Sequence, residues 1–392
     1  MVGNGEDMTL DEALRRMSMD GEESLDEAAG SSERETGEKG GYRFDTPALK
    51  KEVKYQRKLM WDFISGMGSK LWEGANLTKI SLPVGVFEPR SFVERISDCW
   101  IYYDYLERAA VTSDPVERMK LVIAFGVSGL VGTLDARKPF NPILGETYQG
   151  VYGCGAEFFS EQVCHHPPVS RWEVLSKPGC APEDSYVFTG EANWTATVSG
   201  NSLKGRQSGV SCIEFGRDGA TVTWELPFVC MKGVMWGTRV LYYSGEMVFV
   251  DAKNKLRAEI KVTDAMSARS IKQWWNGEEK TPDSVKGAIY QCVNPLVKVD
   301  GAGNKGVALA QVDGIWLTHL DVDGKRIWAR DRQPTHRPRP VDNPLPSDCR
   351  YRGDLIALKG GDMAEAQLAK EAMERDQRGD AKLRKEGLER NG

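Results

Sequence analysis

No stretch of this 392-residue chain is apolar for long enough to cross a bilayer. The longest run, Val122 to Leu134, has 13 residues and is broken by Gly126, Ser128, Gly129 and Gly132, whereas a spanning helix needs about 20. The opening residues, MVGNGEDMTLDEALRR, are acidic and lack an apolar centre, so they do not read as a secretory signal. None of the eight cysteines (99, 154, 164, 180, 212, 230, 292 and 349) stands in a Cys-x-x-Cys pair, which argues against a zinc ribbon or a thioredoxin-type site. Reduced thiols and a cytoplasmic location are the expectation. Positive charge is not in excess either: 52 Lys and Arg stand against 57 Asp and Glu. Residues 1–40 carry twelve acids and four bases, a balance of −8 that leaves about +3 on the rest of the net −5. A mildly basic body suits transient contact with an anionic membrane surface. It is far from the bias of a nucleic-acid binder.

What remains is a globular composition, 40 % hydrophobic and 28 % charged, with 11 tryptophans and 41 glycines pointing to extended structure with many turns. Residues 1–45 read as a disordered acidic leader, with a helical trace between Leu10 and Met19, because apolar residues are too few to offset ordering entropy. From Tyr55 to Ile80, Leu59, Trp61, Phe63, Ile64, Met67 and Leu71 fall near helical spacing, interrupted by Gly66 and Gly68. That pattern is either a core-packing helix or an apolar flap over a cavity. Ser91 to Ala109 predicts a helix opened by a Ser91/Glu94 capping box. Asp114-Pro115 opens a second, which loosens at its glycines.

After residue 148 the period changes to two. Strands are expected at Tyr186–Thr195, Thr221–Leu226, Arg239–Val250, Lys255–Val262, Val307–Val312, Gly314–Leu320 and Lys325–Ala329. Long strands joined by short turns predict a large antiparallel sheet curled into a barrel or half-barrel, wide enough to enclose a ligand. Residues 332–358 are proline-rich and read as an irregular strap. A last helix is expected from about 361 to 385, capped by Asp362, with Lys370, Glu374 and Arg378 along one stripe.

Two short stretches carry chemistry. Only four histidines occur, and two are adjacent, in Glu161-Gln162-Val163-Cys164-His165-His166-Pro167-Pro168. Two imidazoles can aim N–H groups at a phosphate dianion, which favours their protonated form; the plain alternative is a pair of partly exposed histidines at a strand end. In Lys138-Pro139-Phe140-Asn141-Pro142, two prolines hold a lysine and an amide on a stiff turn, the groups a phosphate site needs.

The octapeptide resembles the EQVSHHPP signature of the oxysterol-binding-protein-related family. The resemblance extends to WDFISGMGSKLWEGANLTKISLPVGVFEPRSFVER from Trp61, KPFNPILGETY from Lys138, the strands around Leu203-Lys204-Gly205 and Gly245-Glu246-Met247, Trp316 and the C-terminal helix. All lie in the family's order over roughly residues 50–385. The resemblance implies an α+β lipid-binding domain over 46–390. It would be a near-complete antiparallel β-barrel around a lipid tunnel, closed by an N-terminal lid at about 61–80 that includes Trp61, Phe63, Ile64, Met67 and Leu71. Its ligands would be a sterol or a phospholipid, exchanged between membranes for phosphatidylinositol 4-phosphate. Carried over residue by residue, His165 and His166 would donate to the 4-phosphate. Lys138 and Asn141 would lie near the glycerol phosphate and inositol, and Lys370, Glu374 and Arg378 would complete the headgroup site.

Cys164 departs from the family serine and is the weaker donor. The resemblance further implies a short, barrel-only member that needs no metal or cofactor and performs no covalent chemistry. Glu157-Phe158-Phe159, similar to part of an acidic two-phenylalanine docking motif, is expected inside the sheet. A cysteine-phosphatase loop is disfavoured. Six residues rather than five separate Cys164 from Arg171, and Pro167 and Pro168 remove two backbone donors. Zinc ligation is disfavoured because neighbouring strand residues point to opposite faces. A sterol or phosphoinositide sensor that moves no net lipid stays open beside the carrier.

Overall fold

The computed structural model describes residues 40–67, 81–263, 283–299 and 303–391. Its first helix, α1 (Pro47–Met67), follows a Thr46-Pro47 start in which the Thr46 hydroxyl accepts from Leu49 N at 3.3 Å. Further along come α2 (Phe92–Arg95), α3 (Asp104–Val111) and α4 (Pro115–Ser128), and the chain closes with α5 (Gly353–Lys359) and α6 (Met363–Asn391). Strand β1 (Tyr42–Arg43) precedes α1. Strands β2 (Phe87–Ser91) and β3 (Lys138–Phe140) form a separate parallel pair.

All the other strands join β1 in one antiparallel sheet. They are β4 (Thr147–Val151), β5 (Glu157–Cys164), β6 (Val169–Leu175), β7 (Tyr186–Ser199), β8 (Ser202–Ser208), β9 (Ser211–Phe215), β10 (Thr221–Trp224), β11 (Phe228–Lys232), β12 (Val240–Asp251), β13 (Leu256–Val262), β14 (Ser284–Cys292), β15 (Gly306–Ile315), β16 (His319–Val322), β17 (Lys325–Ala329) and β18 (Arg339–Pro340). From β4 to β17 the sheet is a meander in which neighbours in sequence are neighbours in space. Alternation supplies the sidedness: in β5, Phe158, Ser160 and Gln162 are buried while Glu157 and Val163 are exposed. The Glu157-Phe158-Phe159 motif therefore sits in the sheet, with Phe158 buried.

A crease crosses this meander. β8 and β9 are successive segments of one line paired with β7, interrupted at Gly209-Val210. β10 and β11 are successive segments along β12, interrupted at Glu225–Pro227, where Pro227 has no N–H to offer. β12 crosses the same line at Gly245, whose φ of +126° is a conformation open to glycine.

Helix α4 plugs the interior. Asp114 caps it, accepting from Val116 N at 2.8 Å, with Pro115 at its first position as expected. Its Phe125 packs 5.4 Å from Trp100, inside an aromatic cluster that includes Phe188, Trp224 and Phe249. The helix tightens into a 3-10 turn at Gly129–Thr133, where side chains on Gly129 and Gly132 would strike the carbonyls of Cys99 and Asp98. This part of the barrel is filled by side chains rather than left as a ligand channel.

Four expectations are corrected. The continuous helix over 91–109 is instead the end of β2, one turn of α2, a 3-10 turn at Ile96–Trp100, and α3. The capping box does not form, because the Ser91 hydroxyl is drawn to Glu146. Arg95 bonds Asp98 at 2.7 Å and Glu88 at 3.0 Å, and buried Trp100 points into the aromatic cluster, so local pairing overrides the helical pattern. The two strands expected over 307–320 are divided later, between Ile315 and His319. The strap over 332–358 ends as α5. Residues 42 and 43, read as part of the leader, pair with Leu241 and Val240 of β12, and Phe44 is 2 % exposed. Residues 1–39 lie outside the described residues.

Candidate functional site

The octapeptide and the proline-stiffened loop are one structural unit. Gly145 N donates to Gln162 O and Gln162 N to Glu146 O, both at 2.9 Å. Glu146 is the hub beneath them. Its carboxylate accepts from Ser91, from Ile143 N at 2.9 Å and from Arg352 Nη1 at 2.8 Å. Burial nevertheless pushes its pKa up, against the pull of Arg352. Arg352 also donates to Asn141 O at 2.9 Å and to Asp354 Oδ2 at 2.7 Å, so the loop's backbone is held from below.

The parallel register of β2 and β3 sets Lys138 opposite Phe87. The Lys138 ammonium lies 5.0 Å from the Phe87 ring centroid and bonds the Asn141 side-chain oxygen. Helix α6 brings Lys370 to the same ring, 5.5 Å from its centroid. Asp362 caps α6 as expected, accepting from Glu365 N at 2.9 Å. Lys370 donates to Glu374 at 2.6 Å and to Ser81 Oγ at 3.0 Å, and Ser81 donates to the other Glu374 oxygen at 2.6 Å. Arg378 stands 3.9 Å from Glu374 on the same helix stripe, its side chain exposed. The structure thus brings together five of the seven expected headgroup residues: Lys138, Asn141, Lys370, Glu374 and Arg378. The Lys138 pKa falls to about 7, first by burial, then by the charges of Lys370 and Arg352, with Glu374 opposing. Such a cluster can attract an anion and return the proton to Lys138.

His165 and His166 occupy the turn after β5, their ring centroids 4.4 Å apart. His165 Nδ1 is buried without a hydrogen-bond partner. Burial lowers the His165 pKa, and the charges of His166 and Arg384 lower it further. Arg384, whose charge acts on His165, lies 14 residues beyond Lys370 on α6, about 21 Å along the axis at 1.5 Å per residue. Arg378, expected to complete the headgroup site with the histidines, stands beside Glu374.

Of the expected lid residues, Trp61, Phe63 and Ile64 lie on α1. Ile64 is 1 % exposed, and Trp61 and Phe63 pack half-buried on the core. Met67 ends the helix, and Leu71 and the rest of 68–80 lie outside the described residues. Sequence reasoning did not find Ser81, Phe87, Arg352 or Arg384. A hydroxyl, a ring and two arginines far apart in sequence carry no local signature; only the register of β2 with β3 and the course of α6 bring them in.

With that geometry in view, comparisons place the chain. The family model described as "Oxysterol-binding protein" matches residues 69–391. Oxysterol-binding protein 9 of Dictyostelium discoideum is 37 % identical over 346 residues, covering 86 % of this chain and 78 % of that protein. Human oxysterol-binding protein-related protein 5 is 29 % identical over 343 residues, covering 85 % of this chain, which spans only 36 % of the human protein. Among solved structures, the Osh1 ORD domain in complex with ergosterol matches with a TM-score of 0.66 at 23 % identity, covering 91 % of this chain and 85 % of that one. The Osh3 ORD in complex with PI(4)P, from Saccharomyces cerevisiae, matches with a TM-score of 0.60 at 21 % identity, covering 79 % and 81 %.

Proposed function

The chain belongs to the oxysterol-binding protein family, and from that membership we propose that it is a lipid carrier. It takes up a sterol or the acyl chains of a phospholipid, and exchanges that cargo between membranes for a lipid with a phosphorylated headgroup, phosphatidylinositol 4-phosphate. The relatives support both kinds of ligand, one structure holding ergosterol and the other PI(4)P. The work is desolvation rather than bond-making: each buried CH₂ of cargo contributes about 0.8 kcal/mol. The carrier acts in the cytoplasm and touches anionic membranes transiently.

One observation carries the headgroup assignment. Lys138 and Lys370 converge on Phe87, and Lys138 is driven toward its neutral form by burial and by the cations around it. An incoming phosphate offsets that repulsion. Asn141, Glu374 and Arg378 offer polar contacts around it, and the histidine pair adds one unpartnered ring nitrogen. The segment from about 61 to 80, which begins in the last turns of α1, acts as the lid.

Extraction of phosphatidylinositol 4-phosphate from liposomes tests the reading, with wild type set against Lys138→Ala and against His165→Ala/His166→Ala. Wild type extracts the lipid and both variants lose most of that capacity. Equal extraction by Lys138→Ala moves the headgroup elsewhere; equal extraction by the double variant makes the histidines structural. Wild type that extracts no such lipid leaves the sterol arm to be read by sterol extraction alone.

A further inference from the structure

Helix α1 has two flanks. On one, Glu52 pairs with Arg137 at 2.7 Å, and Tyr55 and Leu59 pack over Gly85, beside the headgroup cluster. The other flank faces the segment Met235–Arg239 across a cavity of about 910 Å³. Five cations border this groove: Lys50, Lys54, Arg57, Lys58 and Arg239. Its apolar walls include Phe44, Trp61 and Trp236, and none of its lining residues is acidic. Lys50, Lys54 and Lys58 are exposed and take part in no ion pair among the described residues.

The two arginines are held in place rather than neutralised. Arg57 donates to the carbonyls of Gly233 at 2.7 Å and Gly237 at 2.5 Å. Arg239, 5 % exposed, donates to Gln56 Oε1 at 2.6 Å, while its Nε is buried without a partner. Burial and then the charge of Arg57 bring the Arg239 pKa down to about 10, with Glu52 opposing. A groove with this lining selects an occupant that is acidic and partly apolar.

We propose that the groove is filled by the acidic N-terminal segment of the same chain, residues 1–39. Charge and reach both favour it. The segment holds twelve Asp and Glu against four Lys and Arg. Leu10, Leu14 and Met17 recur among those acids at helical spacing, fit for the tryptophan-lined wall. It joins the described chain at Gly40, and Phe44, four residues on, already lines the groove. From Lys50 to Trp61 the helix rises about 17 Å, a length that five or six extended residues cover. The docked segment covers the cations of α1 and so competes with anionic surfaces for this face.

Carbodiimide coupling of the full chain tests the contact, because it joins a lysine amine to a touching carboxylate with loss of water. Peptide mapping of the monomer is expected to link Lys50, Lys54 or Lys58 to acids of residues 1–39, and the links disappear in about 1 M salt, where the Debye length is about 3 Å. A full chain with Asp11, Glu12, Asp20, Glu22, Glu23, Asp26 and Glu27 changed to Asn or Gln is expected to cosediment severalfold better with phosphatidylserine-containing vesicles. Links that run to a second copy, or an absence of links to residues 1–39, overturn the proposal. Vesicle binding that ignores the seven substitutions also overturns it, and makes the groove a membrane face instead.

Discussion

Lys138 and Lys370 direct their ammonium groups at the same ring, that of Phe87, from 5.0 and 5.5 Å. Each contact is worth about 0.5–1 kcal/mol where exposed and more where desolvated. The two cations still repel, and only Lys370 has a carboxylate in hand, that of Glu374. Lys138 has the Asn141 amide oxygen and a backbone carbonyl instead. The asymmetry makes Lys138 the group that responds to pH and to an anion.

Headgroup affinity is expected to fall as pH rises through 7. Lys138 is charged below its pKa of about 7 and neutral above it, and an anion binds the charged form. Stability runs the other way. An unfolded lysine keeps its proton to about 10.4, so between 7 and that value the unfolded state holds the extra proton and folding gains as pH rises. Binding of a phosphorylated inositol lipid, followed by liposome extraction from pH 6 to 8, should weaken in wild type. It should weaken less in Lys138→Arg, which stays charged, and an identical slope in both would remove Lys138 from the explanation.

Arg352→Met should cost about 3–5 kcal/mol, the range for removing one partner of a buried pair. Its side chain is 6 % exposed and pairs with Glu146 and Asp354, both more buried still. Urea unfolding followed by circular dichroism measures the loss. A change within about 0.5 kcal/mol, the usual span for surface positions, would mean that neither Glu146 nor Asp354 depends on the guanidinium charge in the folded chain.

Arg384→Gln should raise the His165 pKa. Burial and His166 remain as lowering influences, but the guanidinium charge is removed. Imidazole resonances followed through a pH titration report the shift directly. Its absence would mean that the Arg384 guanidinium does not act on the His165 ring.

Arg57→Ala should loosen the middle of α1. Its guanidinium holds the part-buried carbonyl of Gly233 and the exposed one of Gly237, so the loss should lie near the low end, about 1 kcal/mol, of what a removed hydrogen-bond partner costs. Hydrogen exchange over Pro47–Met67 should accelerate while that of β12 and β13 stays slow. Uniform acceleration would show that α1 belongs to the same cooperative unit as the sheet.

Much of this architecture was legible in the residues. Lys325–Ala329 appears with its expected limits, the strands expected at Arg239–Val250 and Lys255–Val262 appear as β12 and β13, and Asp114 and Asp362 both cap helices. Thr46-Pro47 carries the same hydroxyl- or acid-then-proline signal as Asp114-Pro115 and could have placed the start of α1. The break in the 91–109 helix was not legible, since its cause is a set of ion pairs and a buried tryptophan assembled from β2, α2 and the strands. In the candidate site, spacing on α6 foretold the Lys370–Glu374–Arg378 stripe. It did not foretell that Glu374 would be occupied by Ser81, or that the charge of Arg384 would act on His165.

The crease through Gly209-Val210, Glu225–Pro227 and Gly245 interrupts the hydrogen-bond ladders along one line. A scored plate folds where it is scored. The strand segments on either side can tilt as two stiff panels, each keeping its register, and the angle between the panels then sets how wide the barrel gapes. Changes of shape gather along that line, which meets β7 at Glu191–Ala192, two strands across from Glu161 and Gln162 of the octapeptide.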